Sequence, residues 1–184
     1  MKKIDLVEVP ESKKSVLRQL VELYEYELSP YTGYELNEYG YFGYRYLDNY
    51  WTEADRFVYF IMVEEKIAGF VMVNSYCEAS KDPNAKTIAE FFVMKTFRRQ
   101  RIGKAAAEKI FELFPGTWEI HQYLENKKSL AFWEKVVGEH MSKNFEKKVM
   151  ITEDGKQQVI LFNNAATQNK TVVSTPLRAP RSTA

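Results

Sequence analysis

The sequence is poor in the residues on which several protein classes depend. Its 184 residues include one cysteine and two histidines, so no intramolecular disulfide forms and no metal site is expected. The beginning, MKKIDLVEVPESKK, lacks the continuous apolar core of a signal peptide, and the longest uncharged apolar run, near FVYFIMV, is too short to span a bilayer. These absences predict a cytoplasmic protein without a membrane partner.

The net charge is also small. The 26 Lys and Arg nearly balance the 25 Asp and Glu, so any anion site must be local, and nucleic acid is not an expected partner. Apolar residues are abundant: 45% of the chain is hydrophobic and 15% is aromatic, which is enough for a large core. Because no linker-like composition divides it, we predict one domain over 1–164. The remainder, 165–184, is rich in small and polar residues and resembles a tail or an added extension.

Apolar periodicity predicts the element order β-α-α-β-β-β-α-β-α-β-β, an α+β chain with helices on both faces of one mixed sheet. Ser12 is expected to cap the first helix and Ser29-Pro30 to end it. Glu64 and Glu65 are expected to form a tight hairpin turn. The other expectations are strands over 4–9, 56–65, 66–76, 87–97, 117–124, 144–152 and 157–164, and helices over 44–51, 102–114 and 126–138.

The stretch FRRQRIGKAAAEKIFELF joins a predicted strand to a helix through a basic loop. Free backbone N–H groups at a helix start attract anions, and Gly103 allows close approach of a ligand. Arg98, Arg99, Arg101 and Lys104 add charge that suits phosphates. From the loop alone, a solvated basic turn is an equal alternative. Neither G-x-x-x-x-G-K-[ST] nor G-x-G-x-x-G occurs, which argues against a nucleotide triphosphatase and a Rossmann dehydrogenase.

The strand EFFVMKTF, the loop RRQRIGKA and the helix after them resemble motif A of the GNAT family of N-acetyltransferases, whose pattern after a strand is [QR]-x-x-G-x-[GA]. Arg98 and Gly103 match the outer positions, and Arg101 stands where the family has its middle glycine. We expect the side chain of Arg101 to point outward, toward the phosphates of coenzyme A or solvent.

A second resemblance lies downstream. The segment ENKKSLAFWEKVVG resembles the family's motif B, in which an asparagine, here Asn126, precedes a helix with small, aromatic and glycine positions. The segments LVELYEYELS and YLDNYW also resemble a subgroup of uncharacterised bacterial predicted acetyltransferases. Together these matches extend the resemblance over roughly 4–163.

The resemblance implies a single-domain GNAT-like fold: a twisted, mixed, mostly antiparallel sheet of about seven strands, splayed at an acyl-CoA cleft, with helices on both faces. It implies acetyl-CoA as the acyl donor, no metal, and acetyl transfer to a primary amine of a small molecule or protein by direct attack in a ternary complex. A catalytically silent acyl-CoA sensor is the alternative, and the acceptor and the choice between monomer and homodimer stay open. The residues implied to contact the cofactor are Val93, Met94, Lys95, Arg98, Arg99, Gln100, Arg101, Ile102, Gly103, Lys104, Ala105, Asn126, Phe132 and Trp133.

Acyl transfer to an amine needs a base for the amine proton and donors for the developing oxyanion. The resemblance implies that the backbone N–H of Val93 is such a donor. For the base we prefer Glu119 slightly over Glu90, because a carboxylate in a partly dry cleft can have a raised pKa. Taken alone, each of these glutamates is more commonly a surface residue paired with a lysine than a catalytic base. His121, on the same strand face as Glu119, is a candidate for a proton relay or a solvent-facing residue.

The general acid and the acceptor pocket have weaker signals in the sequence. Family members commonly carry a tyrosine acid where this sequence has Trp133, so Tyr123 or water is expected to protonate the leaving thiolate. Cys77 is assigned no role. The tyrosine-rich segment 31–51 is a candidate acceptor pocket, although such aromatic residues are more often core. The carboxylates of this segment that are expected to attract a cationic amine are Glu35, Glu38 and Asp48.

Overall fold

The structure is a computed structural model that describes residues 2–165, so the predicted tail lies almost wholly outside the described residues. Strands and helices occur in the predicted order. The strands are β1 (Ile4–Glu8), β2 (Phe57–Val63), β3 (Lys66–Asn74), β4 (Lys86–Val93), β5 (Thr117–Tyr123), β6 (Glu146–Thr152) and β7 (Gly155–Asn163). The helices are α1 (Lys14–Thr32), α2 (Asn49–Thr52), α3 (Ile102–Leu113) and α4 (Lys127–His140).

The seven strands form one sheet in the order β1-β2-β3-β4-β5-β7-β6. Every neighbouring pair is antiparallel except β4 and β5, which run parallel. Helices α1 and α2 cover one face, where Leu17 and Tyr50 join the core, and α3 and α4 cover the other, where Phe111 and Trp133 do. The predicted α+β architecture with a mixed, mostly antiparallel sheet is therefore confirmed.

The parallel pair separates soon after it forms. Only Lys86 with Trp118 and Thr87 with Glu119 are paired, although both strands continue well beyond these residues. A bulge contributes to the separation, because Ala89 has no partner in the register that pairs the residues on either side of it with β3. An open gap therefore lies between the second halves of β4 and β5.

Four local predictions can be compared with the structure. The hairpin turn is confirmed, with Glu64 and Glu65 at φ 48° and 70° between β2 and β3. Ser12 does not cap α1, because it lies inside a short 3-10 turn and the helix follows Lys13 without a side-chain cap. Helix α1 continues through Pro30, and α4 continues two residues beyond the glycine that was expected to end it.

The continuation of α1 through its proline has a local cause. Pro30 has no N–H to donate to the carbonyl of Tyr26. The hydroxyl of Ser29 donates to that carbonyl instead, at 2.9 Å. The helix then ends at Gly33, which takes the left-handed conformation at φ 69° and donates its N–H to the carbonyl of Ser29.

Candidate active site

The backbone of β4 faces the gap near its end. The N–H of Met94 donates to the carbonyl of Ala68 in β3 at 2.8 Å. Because successive N–H groups of a strand point in opposite directions, the N–H and carbonyl of Val93 point away from β3, toward the gap. The carbonyl of Val93 accepts a hydrogen bond from Nε of Arg98 at 2.6 Å. The N–H of Val93 is therefore the backbone donor of this strand end that faces the gap.

The basic loop has a strained backbone that leads into α3. Arg99 and Arg101 both have φ 61°, a left-handed conformation that favours glycine and costs about 1–2 kcal/mol in other residues. This conformation explains a glycine at the position of Arg101 in the family pattern. The first helical bond runs from the N–H of Ala105 to the carbonyl of Arg101, so the N–H groups of 102–104 have no intrahelical acceptor. The side chain of Gln100 binds a backbone carbonyl of the same loop.

Two residues of this loop pack against the rest of the fold. A Cβ on Gly103 would lie 3.3 Å from the ring of Phe132 and 3.6 Å from the side chain of Val93. The glycine therefore allows the start of α3 to approach both α4 and the end of β4. Ile102 is 1% exposed and packs with Ala106 in the core. Gly103 thus has a packing role in the fold.

The basic side chains of the loop divide into two groups. Arg98 binds Glu27 of α1 at 2.7 Å, and Lys95 lies 3.6 Å from the same carboxylate. Lys104 binds Glu139 of α4. These ion pairs join the loop and α3 to neighbouring helices. The loop arginines that form no ion pair with a carboxylate in the described chain are Arg99 and Arg101, and both are exposed, as expected for Arg101.

Helix α4 supplies the other predicted cofactor contacts. The Oδ1 atom of Asn126 accepts the N–H of Ser129 at 3.1 Å, so Asn126 caps α4 as predicted. The ring centroids of Phe132 and Trp133 lie 5.8 and 5.1 Å from that of Phe91, which follows Glu90 on β4. Trp133 is 5% exposed and belongs to the core on the α4 side of the sheet. It is a packing residue in this structure.

Glu119 is buried and surrounded by donors. Its carboxylate accepts the backbone N–H groups of Glu78, Ala79 and Ser80 at 2.7, 2.9 and 2.7 Å. His121 lies at 2.8 Å from the same carboxylate through Nε2. Burial alone raises the pKa of Glu119, but the hydrogen bonds from His121 and from the loop lower it below its ordinary value overall. These contacts hold the loop before β4 and favour a structural role over a role as base.

His121 is held between two oxygen acceptors. Its Nε2 faces Glu119, and its Nδ1 lies 2.8 Å from Oε1 of Gln157, which is buried in β7. Burial lowers the pKa of His121, but the hydrogen bonds to these two residues raise it above its ordinary value. Both ring nitrogens therefore act best as donors, which suits an imidazolium that anchors Glu119.

Glu90 has the opposite environment. Its pKa is raised to about 8: burial is the main cause, the charges of Glu25 and Asp154 add to the rise, and the hydrogen bonds of Tyr24 and Tyr44 oppose it. Glu90 lies on β4 just beyond the bulge, where that strand has left β5. A carboxylate with this pKa, beside the gap, is suited to accept a proton near neutral pH.

A further carboxylate, which the sequence analysis did not select, lies on α1. Glu25 is 7% exposed and forms neither a hydrogen bond nor an ion pair with any described residue. Its pKa is raised to about 7, first by burial and then by the charges of Glu22 and Asp154. A sequence signal did exist, because Glu25 follows Val21 by four residues on the apolar stripe of α1.

Tyr123, on β5, lies close to these carboxylates. Its ring stacks on that of Tyr31, with centroids 6.5 Å apart. Burial, followed by the charge of Asp154, raises the pKa of Tyr123 well above its ordinary value, so the hydroxyl is protonated at neutral pH. The hydroxyl of Tyr34 donates to Oδ1 of Asp154, in the turn between β6 and β7, at 3.2 Å. Glu25, Glu90, Asp154 and Tyr123, which we name the acidic cluster, thus come from four separate parts of the chain.

The carboxylates expected to attract an amine lie elsewhere. Asp48 pairs with Lys14 at 3.0 Å, and Glu35 and Glu38 are exposed in the loop after α1. The charges that raise the pKa values come instead from Glu22 and Asp154 for Glu25, and from Glu25 and Asp154 for Glu90. Burial and then Glu119 raise the pKa of Cys77 to about 12, which leaves it an unreactive thiol.

Residues 2–165 lack two features that are typical of other protein classes. No helix there is both long and apolar enough to cross a membrane. In the same part of the chain, no three or more His, Cys, Asp or Glu side chains gather in a way that could hold a metal ion.

Solved structures with the same fold include three acetyltransferases. Aminoglycoside acetyltransferase AAC(6')-Ib in complex with coenzyme A is 14% identical with a TM-score of 0.68, over 92% of this chain and 100% of that one. RimL, a ribosomal-protein alpha-N-acetyltransferase in complex with coenzyme A, is 15% identical with a TM-score of 0.62, over 89% and 95%. A chimeric spermidine N-acetyltransferase from Vibrio cholerae is 12% identical with a TM-score of 0.62, over 90% and 98%.

These identities are low enough that the three structures show a shared fold and do not establish a shared acceptor. No curated protein sequence matches the chain. The model of the acetyltransferase (GNAT) family matches residues 20–138, which is more than half of the chain and includes most of α1, the splayed strands and the basic loop. The chain therefore belongs to the acetyltransferase (GNAT) family.

Proposed function

We propose that the protein transfers the acetyl group of acetyl-CoA to a primary amine by direct attack in a ternary complex. One observation carries this proposal: Glu90, with its raised pKa, lies beside the gap on the same strand as Val93, whose N–H points toward that gap. The proton acceptor and the hydrogen-bond donor for the oxyanion then lie near the same end of one strand. Direct transfer needs this arrangement, because amine and thioester must meet in one place.

The donor half of the site follows from the loop and α4. The pyrophosphate of acetyl-CoA binds the N–H groups at the start of α3, and Arg99 and Arg101 supply the charge that is not already paired within the described chain. The amide nitrogen of Asn126 donates to the pantetheine arm, since its oxygen already caps α4. Two structural relatives are complexes with coenzyme A, which supports acetyl-CoA as the donor.

The reaction uses few protein groups. Of the two protons that the ammonium form of the acceptor gives up, one goes to solvent and the other to the carboxylate of Glu90. The nitrogen attacks the thioester carbon, and the N–H of Val93 stabilises the oxyanion that forms. The carbon–sulfur bond then breaks and releases the amide and the thiolate of coenzyme A. Water protonates the thiolate, because the raised pKa of Tyr123 makes its hydroxyl a poor acid toward a thiolate whose own pKa is lower.

Glu119 is left out of these steps. Its four donors and its lowered pKa would make it a weak proton acceptor at neutral pH. Its proposed function is to hold the loop before β4, so that β4 leaves the sheet at a defined position. The order of preference between the two glutamates is therefore reversed from that of the sequence.

The test is release of free thiol from acetyl-CoA in the presence of amines. Aminoglycosides, polyamines, amino acids and peptides with free amino termini form the panel, and thermal unfolding with acetyl-CoA measures donor binding separately. We expect both a rise in melting temperature and amine-dependent thiol release. Binding of acetyl-CoA without turnover across the panel would favour the silent sensor, and absence of binding would refute both functions.

A further inference from the structure

Strand β6 forms the edge of the sheet opposite to β1. It pairs with β7 along all of its 7 residues, and no strand within 2–165 pairs with its other side, which we name the free side of β6. Because the N–H and carbonyl groups of a strand point alternately to its two sides, about half of the backbone groups of β6 point to the free side. Such an edge accepts an additional strand unless its side chains prevent this.

Two β-branched residues of β6 are exposed beside this edge. Ile151 is 84% exposed, more than any other large apolar residue that the structure describes, and Val149 is 54% exposed. Both lie on the α4 side of the sheet, because side chains alternate along a strand and Lys147 on the same face reaches Glu134 of α4 at 3.0 Å. Two neighbouring exposed apolar residues on an unpaired strand form a contact surface for another strand.

The lysines of β6 do not protect its edge. Lysine on an edge strand commonly extends into solvent and discourages an incoming strand. Here Lys147 binds Glu134, and Nζ of Lys148 donates to the carbonyl of Ala79 at 3.1 Å. Both ammonium groups therefore bind their own molecule over the two faces of the sheet, and the free side of β6 is left accessible.

The sequence of β6 is complementary to itself in one antiparallel register. A two-fold axis normal to the sheet at Met150 places Val149 opposite Ile151 of a second copy, and the same contact occurs again by symmetry. This register also places Lys147 opposite Glu153 of the second copy, and Glu153 is exposed in the turn after β6. An axis at a lysine of the strand would instead place like charges opposite each other, which is unfavourable.

We propose that the free side of β6 binds the same strand of a second copy, so that two seven-stranded sheets join into one continuous sheet in a symmetric dimer. The partner is a second copy because the apolar pair and the charge pair both match within this one segment. The contact is closed by its two-fold symmetry, since each copy uses its only β6 edge, and it does not extend into a filament. The dimer does not depend on acetyl transfer, so either conclusion can fail without the other.

The test is analytical ultracentrifugation of the full chain over a range of protein concentrations. We expect the wild type to reach twice the mass of one chain. Ile151→Lys should raise the dissociation constant of the dimer by at least about tenfold, because symmetry removes the apolar contact twice. The matched control is Val7→Lys on the other edge strand, where Val7 is 48% exposed, and it should leave the dissociation constant unchanged.

Charge reversal tests the register. Glu153→Lys and Lys147→Glu should each raise the dissociation constant about fivefold at low salt, since each places like charges opposite each other. The double variant should recover most of the wild-type affinity, and the double-mutant cycle removes the effect of losing the bond between Lys147 and Glu134. A double variant that binds no more tightly than the single variants would overturn the register.

Three results would overturn the dimer itself. One is a monomer at every concentration, which is also the outcome expected if residues 166–184 of the same chain cover the edge. The second is an assembly larger than a dimer, and the third is an Ile151→Lys variant that dimerises as tightly as the wild type. Because Ile151 is exposed, we expect this variant to fold, and circular dichroism of the same samples checks it.

Discussion

Glu90 and Glu119 lie on neighbouring strands and face the same side of the sheet, yet their environments are opposite. Glu119 is at the last point where β4 and β5 are paired, and three backbone N–H groups and His121 surround its carboxylate. Glu90 lies beyond the separation of the strands, among tyrosines and other carboxylates. The pKa of Glu119 is lowered, and that of Glu90 is raised to about 8.

The comparison shows that burial does not by itself make a carboxylate a base. Burial raises the pKa of both glutamates, and the donors around Glu119 reverse that effect. The donors are available to Glu119 because the loop over 78–80 folds back onto β5. Glu90 lies beside the open gap, where Glu119 has a loop folded over it. The bulge and the splay therefore produce both the space for a substrate and the carboxylate that can serve it.

The largest expected effect comes from removing the base. Glu90→Gln should reduce kcat by about 10²–10⁴-fold, since general-base catalysis contributes that much. Binding of acetyl-CoA, measured by thermal unfolding, should stay unchanged. The variant should also be no less stable than the wild type near pH 8, because a buried charge has been removed. A loss of less than about fivefold would assign the base elsewhere.

Removing the other carboxylate should act on stability. Glu119→Gln should lower the free energy of unfolding by about 2–4 kcal/mol, because three part-buried backbone donors and His121 lose a charged, buried acceptor. Since the pKa of Glu119 is lowered in the folded state, this stabilisation is present above about pH 4.5 and is lost as pH falls through the folded value.

The matched control for that variant is Glu78→Gln, an exposed residue of the loop that Glu119 holds. It should change the free energy of unfolding by less than about 0.5 kcal/mol in denaturant titrations. If the folded Glu119→Gln variant lost kcat as fully as Glu90→Gln, the distinction between the two glutamates would not stand.

The pH dependence of turnover gives a smaller effect that is specific to Glu90. The kcat of the wild type should rise with pH through about 8, because the ionised carboxylate is the active form. Glu25→Gln should move this rise to lower pH, since the charge of Glu25 contributes to the raised pKa of Glu90. Relative to its own plateau, the variant's rate near neutral pH should increase about threefold. An unchanged profile would mean that another group controls the rate.

The smallest effect is expected for the histidine that supports Glu119. His121→Gln should lower the free energy of unfolding by about 0.5–1.5 kcal/mol. The pKa of His121 is raised in the folded state, so its stabilisation is complete below 6.5 and is lost as pH rises through the folded value. The difference from the wild type should therefore be larger near pH 5.5 than near pH 9. The opposite trend would contradict the hydrogen-bond assignment of the imidazole.

Several elements could be predicted from the sequence because their causes are local. The helix α3 follows from apolar residues at three- and four-residue spacing, and the cap at Asn126 from a short side chain before a helix. The turn at Glu64 and Glu65 follows from two strand-like runs with nothing else between them. The end of α1 could not be predicted, because a side-chain hydrogen bond from Ser29 offsets the missing donor of Pro30.

The candidate site was only partly predictable. Motif resemblance selected the loop, the chemistry of a carboxylate in a cleft selected both glutamates, and Glu90 lies on β4 beyond the point where that strand leaves β5. The preference for Glu119 could not be judged from its own strand, since its donors come from residues about forty positions earlier. Glu25 was not selected because a carboxylate on an apolar stripe is informative only when its neighbours in space are known.

The sequence by itself determined the element order, the basic loop and the family, since these depend on spacing and composition along the chain. Tertiary structure decided which carboxylate has its pKa raised and which has its pKa lowered by hydrogen bonds. It also decided which arginines of the loop form no carboxylate pair, because Glu27 and Glu139 reach Arg98 and Lys104 from other helices. The physical reason is that a pKa and an ion pair depend on distances in space, which separation along the chain does not specify.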